Sequence, residues 1–142
     1  MTLMEHICTS ASSNLDEALN LDAYLANNAT RVREFRVNWR FEELQFKELA
    51  GTSRGVMRTR KVWYVELYCI IDDNCYTGIG ECAPLPGLSC DNCADYENIL
   101  SDACQQWQMQ RRVPSSELID YPSILMGFET AEHSLLGDLA GI

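Results

Sequence analysis

The feature that most constrains this chain is a change in the period of its apolar residues. In the first half of the chain they alternate with polar residues, which is typical of strands with one buried face. In the second half they recur every three to four residues, which is typical of amphipathic helices. Strands that come first and helices that follow indicate an α+β fold rather than an alternating α/β fold.

The first predicted strand carries the clearest alternation. Its apolar side chains from Phe35 to Phe41 share one face, and the polar side chains between them share the other. The parity of the apolar residues then changes, which predicts a β-bulge near Glu42 and Glu43. The strand therefore has one face for the core and one basic face for solvent.

Two more strands are predicted, over about 62–71 and 75–82, with a turn at Asp72-Asp73-Asn74 between them. The second strand has apolar residues on both parities, so both of its faces are expected to be covered. Short local connections between consecutive strands predict an antiparallel arrangement. The expected architecture is therefore a three-stranded antiparallel meander followed by helices.

A helix is also expected before the strands. Residues 1–29 are acidic and are interpreted as an N-terminal extension. A possible capping box and apolar spacing predict a short, weakly held helix over about 14–26. This helix is expected to lie outside the main core.

Two helices are predicted after the strands. The first covers about 93–112, with Asp91 as its N-cap and with Arg111 and Arg112 in its last turn, where they suit the helix dipole. Pro122 fits the first turn of the second helix.

Length and charge exclude several classes of function. The chain has 142 residues, too few for a (β/α)₈ barrel, which needs about 250. Its net charge of −10 argues against binding to nucleic acids or to anionic membranes. Nine of the eleven basic residues lie between Arg31 and Lys61. This basic band could attract an anionic substrate, but a solvated strand face is the favoured interpretation.

The seven cysteines indicate reduced thiols in the cytoplasm, because no signal peptide and no membrane-spanning apolar run accompanies them. Cys90 and Cys93 form a C-x-x-C pair that could serve a zinc site or redox chemistry, but ordinary packing and loop roles are favoured. Glu129 and His133, one helical turn apart, could share a metal ion, but a surface ion pair is favoured.

Two loops carry residues suited to binding, and a meander places both at the same end of its sheet. The first offers hydroxyls, a guanidinium that can bind a carboxylate, and glycines, whereas the second is stiffened by prolines. Together they form a candidate binding lip, and ordinary turn chemistry is the alternative. The candidate residues are Thr52, Ser53, Arg54 and Gly55 in the first loop and Leu85, Pro86, Gly87, Leu88 and Ser89 in the second.

These loops resemble those of the N-terminal capping domain of the enolase superfamily, and within it those of the o-succinylbenzoate synthases of menaquinone biosynthesis. The stretches that carry the resemblance are Gly51–Gly55, Trp63, Gly78–Ser89, Asp95–Glu97, Pro122–Ile124 and Gly127–Ala131. The resemblance covers about residues 31–140. It implies a capping domain over 30–120 and, over 121–142, a helix that leads into a barrel domain that this chain lacks.

The resemblance also implies a division of labour. The two loops, with Arg54 meeting the substrate carboxylate, would close over the active site of the barrel and shape its specificity. The barrel of the same enzyme would supply two lysines and the carboxylates that bind Mg²⁺. One lysine would remove the proton alpha to the carboxylate of a small substrate, and dehydration would give o-succinylbenzoate. This chain alone is therefore expected to contain no catalytic or metal-binding residue, to bind no cofactor and to be inactive.

Several alternatives remain open at this stage. The chain could be the cap of a dipeptide epimerase or of a muconate-type cycloisomerase, or a stand-alone binding module without chemistry. A metal or redox module built on Cys90 and Cys93 is a further class. Because the last helix would normally pack on a barrel, its apolar residues are expected to be exposed and to drive self-association. These residues are Leu125, Phe128, Leu135, Leu136 and Leu139.

Overall fold

A computed structural model describes residues 20–48, 56–84 and 95–141 of the chain. The elements within these ranges are α1 (Leu21–Asn27), β1 (Val32–Glu48), β2 (Val56–Ile71), β3 (Asn74–Cys82), α2 (Tyr96–Gln110), a short 3-10 helix (Ser115–Leu118) and α3 (Pro122–Leu139). The predicted α+β class is confirmed, because an antiparallel three-stranded sheet is followed by helices. No helix in these ranges is both long and apolar enough to cross a membrane.

The sheet is a meander of order β1-β2-β3. Asp72, at φ 55°, lies in the left-handed region and makes the predicted turn between β2 and β3. At the opposite end, Phe41 of β1 pairs with Trp63 of β2, which pairs with Cys82, the last residue of β3. Beyond this row, β1 and β2 continue without β3 as a two-stranded arm.

The β-bulge predicted near Glu42 and Glu43 is wrong. These residues pair in unbroken register with Val62 and Lys61, and the irregularity of β1 lies instead between Val32 and Glu34. The physical reason is that Glu42 and Glu43 are already in the arm, where the described β1 side chains, those of residues 42–45, are exposed. A change of apolar parity there removes no side chain from the core, so no bulge is needed to preserve a buried face.

One face of the sheet is buried and the other is largely open, which corrects the prediction that both faces of β2 are covered. On the open face Tyr68 is 37% exposed and Tyr64 and Ile70 are half-buried, although Val62 is buried. Tyrosines tolerate this position because their hydroxyls can reach water. The buried face carries Phe35, Val37, Trp63, Val65, Leu67, Cys69 and Ile71, which pack with helix residues in one core.

The expectation that the N-terminal helix lies outside the core is wrong. Leu21, Tyr24 and Leu25 of α1 are at most 5% exposed and belong to the same cluster as the sheet and the later helices. The helix starts at Leu21, where the side chain of Asn20 accepts a hydrogen bond from the N–H of Ala23 at 3.2 Å. Most of the predicted span 14–26 before this point lies outside the described residues.

Helix α2 begins at Tyr96 and ends earlier than the sequence predicts. Arg111 adopts a left-handed conformation, with φ 56°, and ends the helix as its C-cap, so the two arginines do not occupy the last turn. The side chain of Arg111 instead donates to the carbonyl of Val32 at 3.3 Å. Asp91 and Cys93 lie outside the described residues.

Helix α3 begins at Pro122 as predicted, but its apolar face is not exposed. Phe128 and Leu135 are fully buried and Leu136 is 9% exposed, because the helix packs against this chain's own sheet. Leu125 and Leu139 are half-buried against the same core. The exposed patch on which the expectation of self-association rested is therefore absent from these positions.

Candidate functional site

The candidate site lies at the end of the sheet marked by the row of Phe41, Trp63 and Cys82, called here the loop end. The first loop joins the two strands of the arm, between Glu48 and Val56. The second loop leaves β3 after Cys82 and leads to α2. The second connection starts at the loop end itself, whereas the first starts at the tip of the arm, seven residues of each strand beyond it on the same side of the sheet.

The residues predicted to bind substrate occupy these two connections and lie outside the described residues. They are Thr52, Ser53, Arg54 and Gly55 in the first loop and Leu85, Pro86, Gly87, Leu88 and Ser89 in the second. Their role stays a prediction. The chain that leads into the second loop is described up to Pro84, which is buried. The described residues begin again at Asp95.

Trp63 organises the loop end. Its ring is 5.1 Å from the ring of Phe41 and 4.7 Å from that of Tyr96, measured between centroids, and is edge-on to Tyr96. Its Nε1 donates to Oε2 of Glu97 at 2.9 Å. The Tyr96 hydroxyl in turn lies 2.7 Å from Oγ of Ser123 in the first turn of α3. A strand, the arm and two helices therefore meet at one aromatic cluster.

The arginines of the basic band whose side chains are described all pair with nearby carboxylates. Two ion pairs lie within β1, Arg36 with Glu34 and Arg40 with Glu42. The others join different strands or reach the turn between β2 and β3: Arg31 with Asp72, Arg33 with Asp73, Arg40 with Glu66, and Arg60 with Glu81. Arg40 also lies over the ring of Tyr64, 4.4 Å from its centroid. Exposed pairs of this kind contribute little to stability. The arrangement supports the interpretation as a solvated strand face.

A cleft of about 280 Å³ on the helical side collects acidic groups from two helices. Its lining includes Asp22 of α1 and Glu129, Glu132 and His133 of α3. Burial, reinforced by the carboxylates of Asp22 and Glu129, raises the pKa of Glu132 from 4.5 to about 7. Glu129 and His133 line the same cleft, but no ion pair joins them in the described part of the chain, so that prediction is wrong.

The described ranges offer no arrangement for a metal ion. Among residues 20–48, 56–84 and 95–141, no group of three histidine, cysteine, aspartate or glutamate side chains is placed to bind one. Burial raises the pKa of the Cys69 thiol to about 11, which removes it from thiolate chemistry at neutral pH. Cys90 and Cys93 lie outside these ranges.

Two features of the loop end and its support were missed by reasoning from the sequence. The first is the hydrogen bond between Trp63 and Glu97, which joins residues far apart in the chain. The only hint in the sequence was that both residues belong to the stretches that carry the family resemblance. The second is the close approach of α3 to β3, where a Cβ on Gly80 would collide with the backbone of Gly127. Glycines that line a strand face opposite a helix could have suggested it.

Comparison with known proteins shows which family this chain matches. The family described as "MenC, N-terminal domain" matches residues 47–135. An o-succinylbenzoate synthase from Desulfotalea psychrophila is 42% identical over 55 residues, which are 39% of this chain and 14% of that protein. The crystal structure of MenC from Desulfotalea psychrophila LSv54 matches with a TM-score of 0.42 and 19% identity, over 72% of this chain and 35% of that chain. The chain thus spans about a third or less of these relatives.

The family match covers more than half of the chain and includes the second strand of the arm, β3, α2 and most of α3. It confirms the resemblance to the N-terminal domain of o-succinylbenzoate synthases, which the motifs of both loops and of the helices predicted. The chain belongs to the MenC N-terminal domain family.

Proposed function

We propose that this chain is the capping and specificity domain of an o-succinylbenzoate synthase. The family match over residues 47–135 carries the proposal. The topology supports it, because two loops that leave the same end of one sheet are suited to cover a single site. In this role the chain works with a barrel domain, and a cytoplasmic location is part of the proposal.

The chemistry is assigned to the barrel. The described residues offer no set of metal-binding side chains, and the barrel would supply the ligands of Mg²⁺ and the proton-abstracting lysines. This chain would contribute exclusion of water and orientation of a small carboxylate substrate. Arg54, from the first loop, would bind the substrate carboxylate through its guanidinium.

A chimera tests the proposal. This whole chain replaces the N-terminal domain of the Desulfotalea psychrophila o-succinylbenzoate synthase, and turnover of the cyclohexadiene substrate is followed with Mg²⁺ present. We expect turnover by the chimera and none by this chain alone. The control is the same synthase without an N-terminal domain.

Two outcomes would contradict the proposal. One is a chimera that folds, by size exclusion and thermal melting, but turns over no faster than the control. The other is turnover of the substrate by the purified 142-residue chain alone.

A further inference from the structure

The loop end contains a connection that the proposed function does not use. The indole of Trp63 is 7% exposed and packs between Phe41 and Tyr96. Its N–H reaches out of this cluster to the carboxylate of Glu97, an otherwise exposed residue in the first turn of α2. The carboxylate therefore anchors the start of a helix to the middle strand of the sheet.

The positions of these residues show which parts of the fold the connection joins. Trp63 pairs across the sheet with Cys82, where β3 ends and the second loop begins. Glu97 follows the end of that loop by only a few residues. Trp63 thus holds both ends of the second loop, and through Phe41 it also contacts the base of the arm that carries the first loop.

Burial of an indole does not by itself require this hydrogen bond. Trp107 is fully buried between Phe35 and Phe128, and its Nε1 has no hydrogen-bond partner within the described ranges. The core of this fold therefore accommodates an unpaired indole N–H. At the loop end, by contrast, the indole is directed at a charged acceptor, which makes a stronger and more directional bond.

We propose that Trp63 is a positioning residue, which acts through Glu97 and Tyr96 to fix the two ends of the second loop relative to the arm. The inference rests on the proposed function and adds to it the residue that holds the end of β3 and the start of α2 against the base of the arm. The inference bears on recognition of the carboxylate substrate. If the ends of the second loop shift, the binding residues lose the relative positions that substrate binding requires.

The kinetic test uses the chimera described above. Trp63→Phe keeps a ring between Phe41 and Tyr96 but removes the N–H, and Glu97→Ala removes the acceptor. Loss of one hydrogen bond to a charged group corresponds to about a tenfold change in an equilibrium constant. We therefore expect each variant to raise KM by about tenfold, with a smaller change in kcat.

Two matched variants control this experiment. Glu97→Gln keeps an oxygen that can accept from the indole, so it should restore KM to near the value of the unsubstituted chimera. Asp102→Ala removes an exposed carboxylate five residues further along the same helix, and should leave KM unchanged. A role in stability alone would lower the melting temperature of Trp63→Phe without raising KM, and that result would overturn the inference.

A second measurement keeps the inference testable if the chimera is inactive, which would count against the proposed function alone. Deuterium uptake is measured on this chain for peptides that contain the end of β3 and the start of α2. Trp63→Phe and Glu97→Ala should increase uptake in both peptides and leave those of α3 unchanged. Glu97→Gln should behave as the unsubstituted chain does. Unchanged uptake in Trp63→Phe and Glu97→Ala would overturn the inference.

Discussion

At the scale of single residues, the carboxyl group of Glu132 has the least ordinary environment among the described acids. It lies in a half-buried position near Asp22 and Glu129, and Arg112 and the N–H of Val113 act on Asp22 rather than on Glu132 itself. Burial and like charge both oppose its ionisation. The folded state therefore holds a proton on Glu132 at pH values where the unfolded chain has released it.

We expect Glu132→Gln to be increasingly stabilising as the pH rises. The pKa of Glu132 is higher in the folded state than its ordinary value of 4.5, so protonation of Glu132 stabilises the fold. This stabilisation is fully present below pH 4.5 and is lost as the pH rises through about 7. Glutamine cannot ionise, so the difference in unfolding free energy between variant and parent should be small at pH 4.5 and grow up to pH 8. Urea unfolding across this range measures it, with Glu117→Gln at an exposed site as the control. A difference that does not change with pH would contradict this account.

At the scale of elements, helix α3 is fitted to the edge strand β3. Gly78 and Gly80 place backbone against Ala131, Leu135 and Gly127, with no space for a Cβ. Polar side chains complete the contact, because Ser134 accepts from the N–H of Ile79 at 3.0 Å and Asp138 accepts from that of Thr77 at 2.9 Å. These bonds occupy donors that an open edge would leave free for pairing with another chain.

Gly80→Ala should be severely destabilising. The new methyl group would meet the backbone carbonyl of Gly127, which cannot yield as a side chain can, so a loss of about 3 kcal/mol or more is expected. Gly137→Ala is the matched control, since nothing lies within 4 Å of its Cβ position and alanine favours a helix by up to about 1 kcal/mol. Denaturant titrations of both variants give the comparison. Equal stabilities would mean that the helix does not approach the strand so closely.

The helices and strands also show which parts of the fold could be predicted from the sequence. Alternation predicted the three strands, although β2 begins at Val56 and not near residue 62. Turn residues and Pro122 predicted the turn at Asp72 and the start of α3, because these signals are local. The bulge near Glu42, the covered face of β2 and the exposed face of α3 were wrong, because each depends on where the helical layer ends or packs. For the same reason, the bond between Trp63 and Glu97 could not be derived from spacing along the chain.

At the scale of the whole molecule, α1 belongs to the domain and is not an appendage to it. Leu21, Tyr24 and Leu25 close the core, and the side chain of Asp22 accepts from the N–H of Val113 at 3.3 Å. Amphipathic spacing in an acidic segment predicted the helix but not the surface it covers. The family match begins at residue 47, so this helix lies outside the matched part of the chain.

Leu25→Ala should therefore behave as a core substitution. The side chain is 1% exposed, and truncation of a buried leucine costs about 2 to 5 kcal/mol. Met109→Ala, at a position that is 77% exposed, should change the unfolding free energy by less than about 0.5 kcal/mol. Urea unfolding of both proteins gives the two values. A loss of unfolding free energy for Leu25→Ala as small as that for Met109→Ala would mean that α1 is only loosely attached to the core.

The central claim is that the loops of this domain select the substrate of a barrel that performs the chemistry. Its most direct test is the kinetics of Arg54→Ala in the chimera, compared with Arg33→Ala, whose guanidinium pairs with Asp73 on the exposed strand face. A guanidinium that binds the substrate carboxylate predicts a fall in kcat/KM of about tenfold or more for Arg54→Ala, and no change for Arg33→Ala. Identical kcat/KM values for the two variants would contradict the claim.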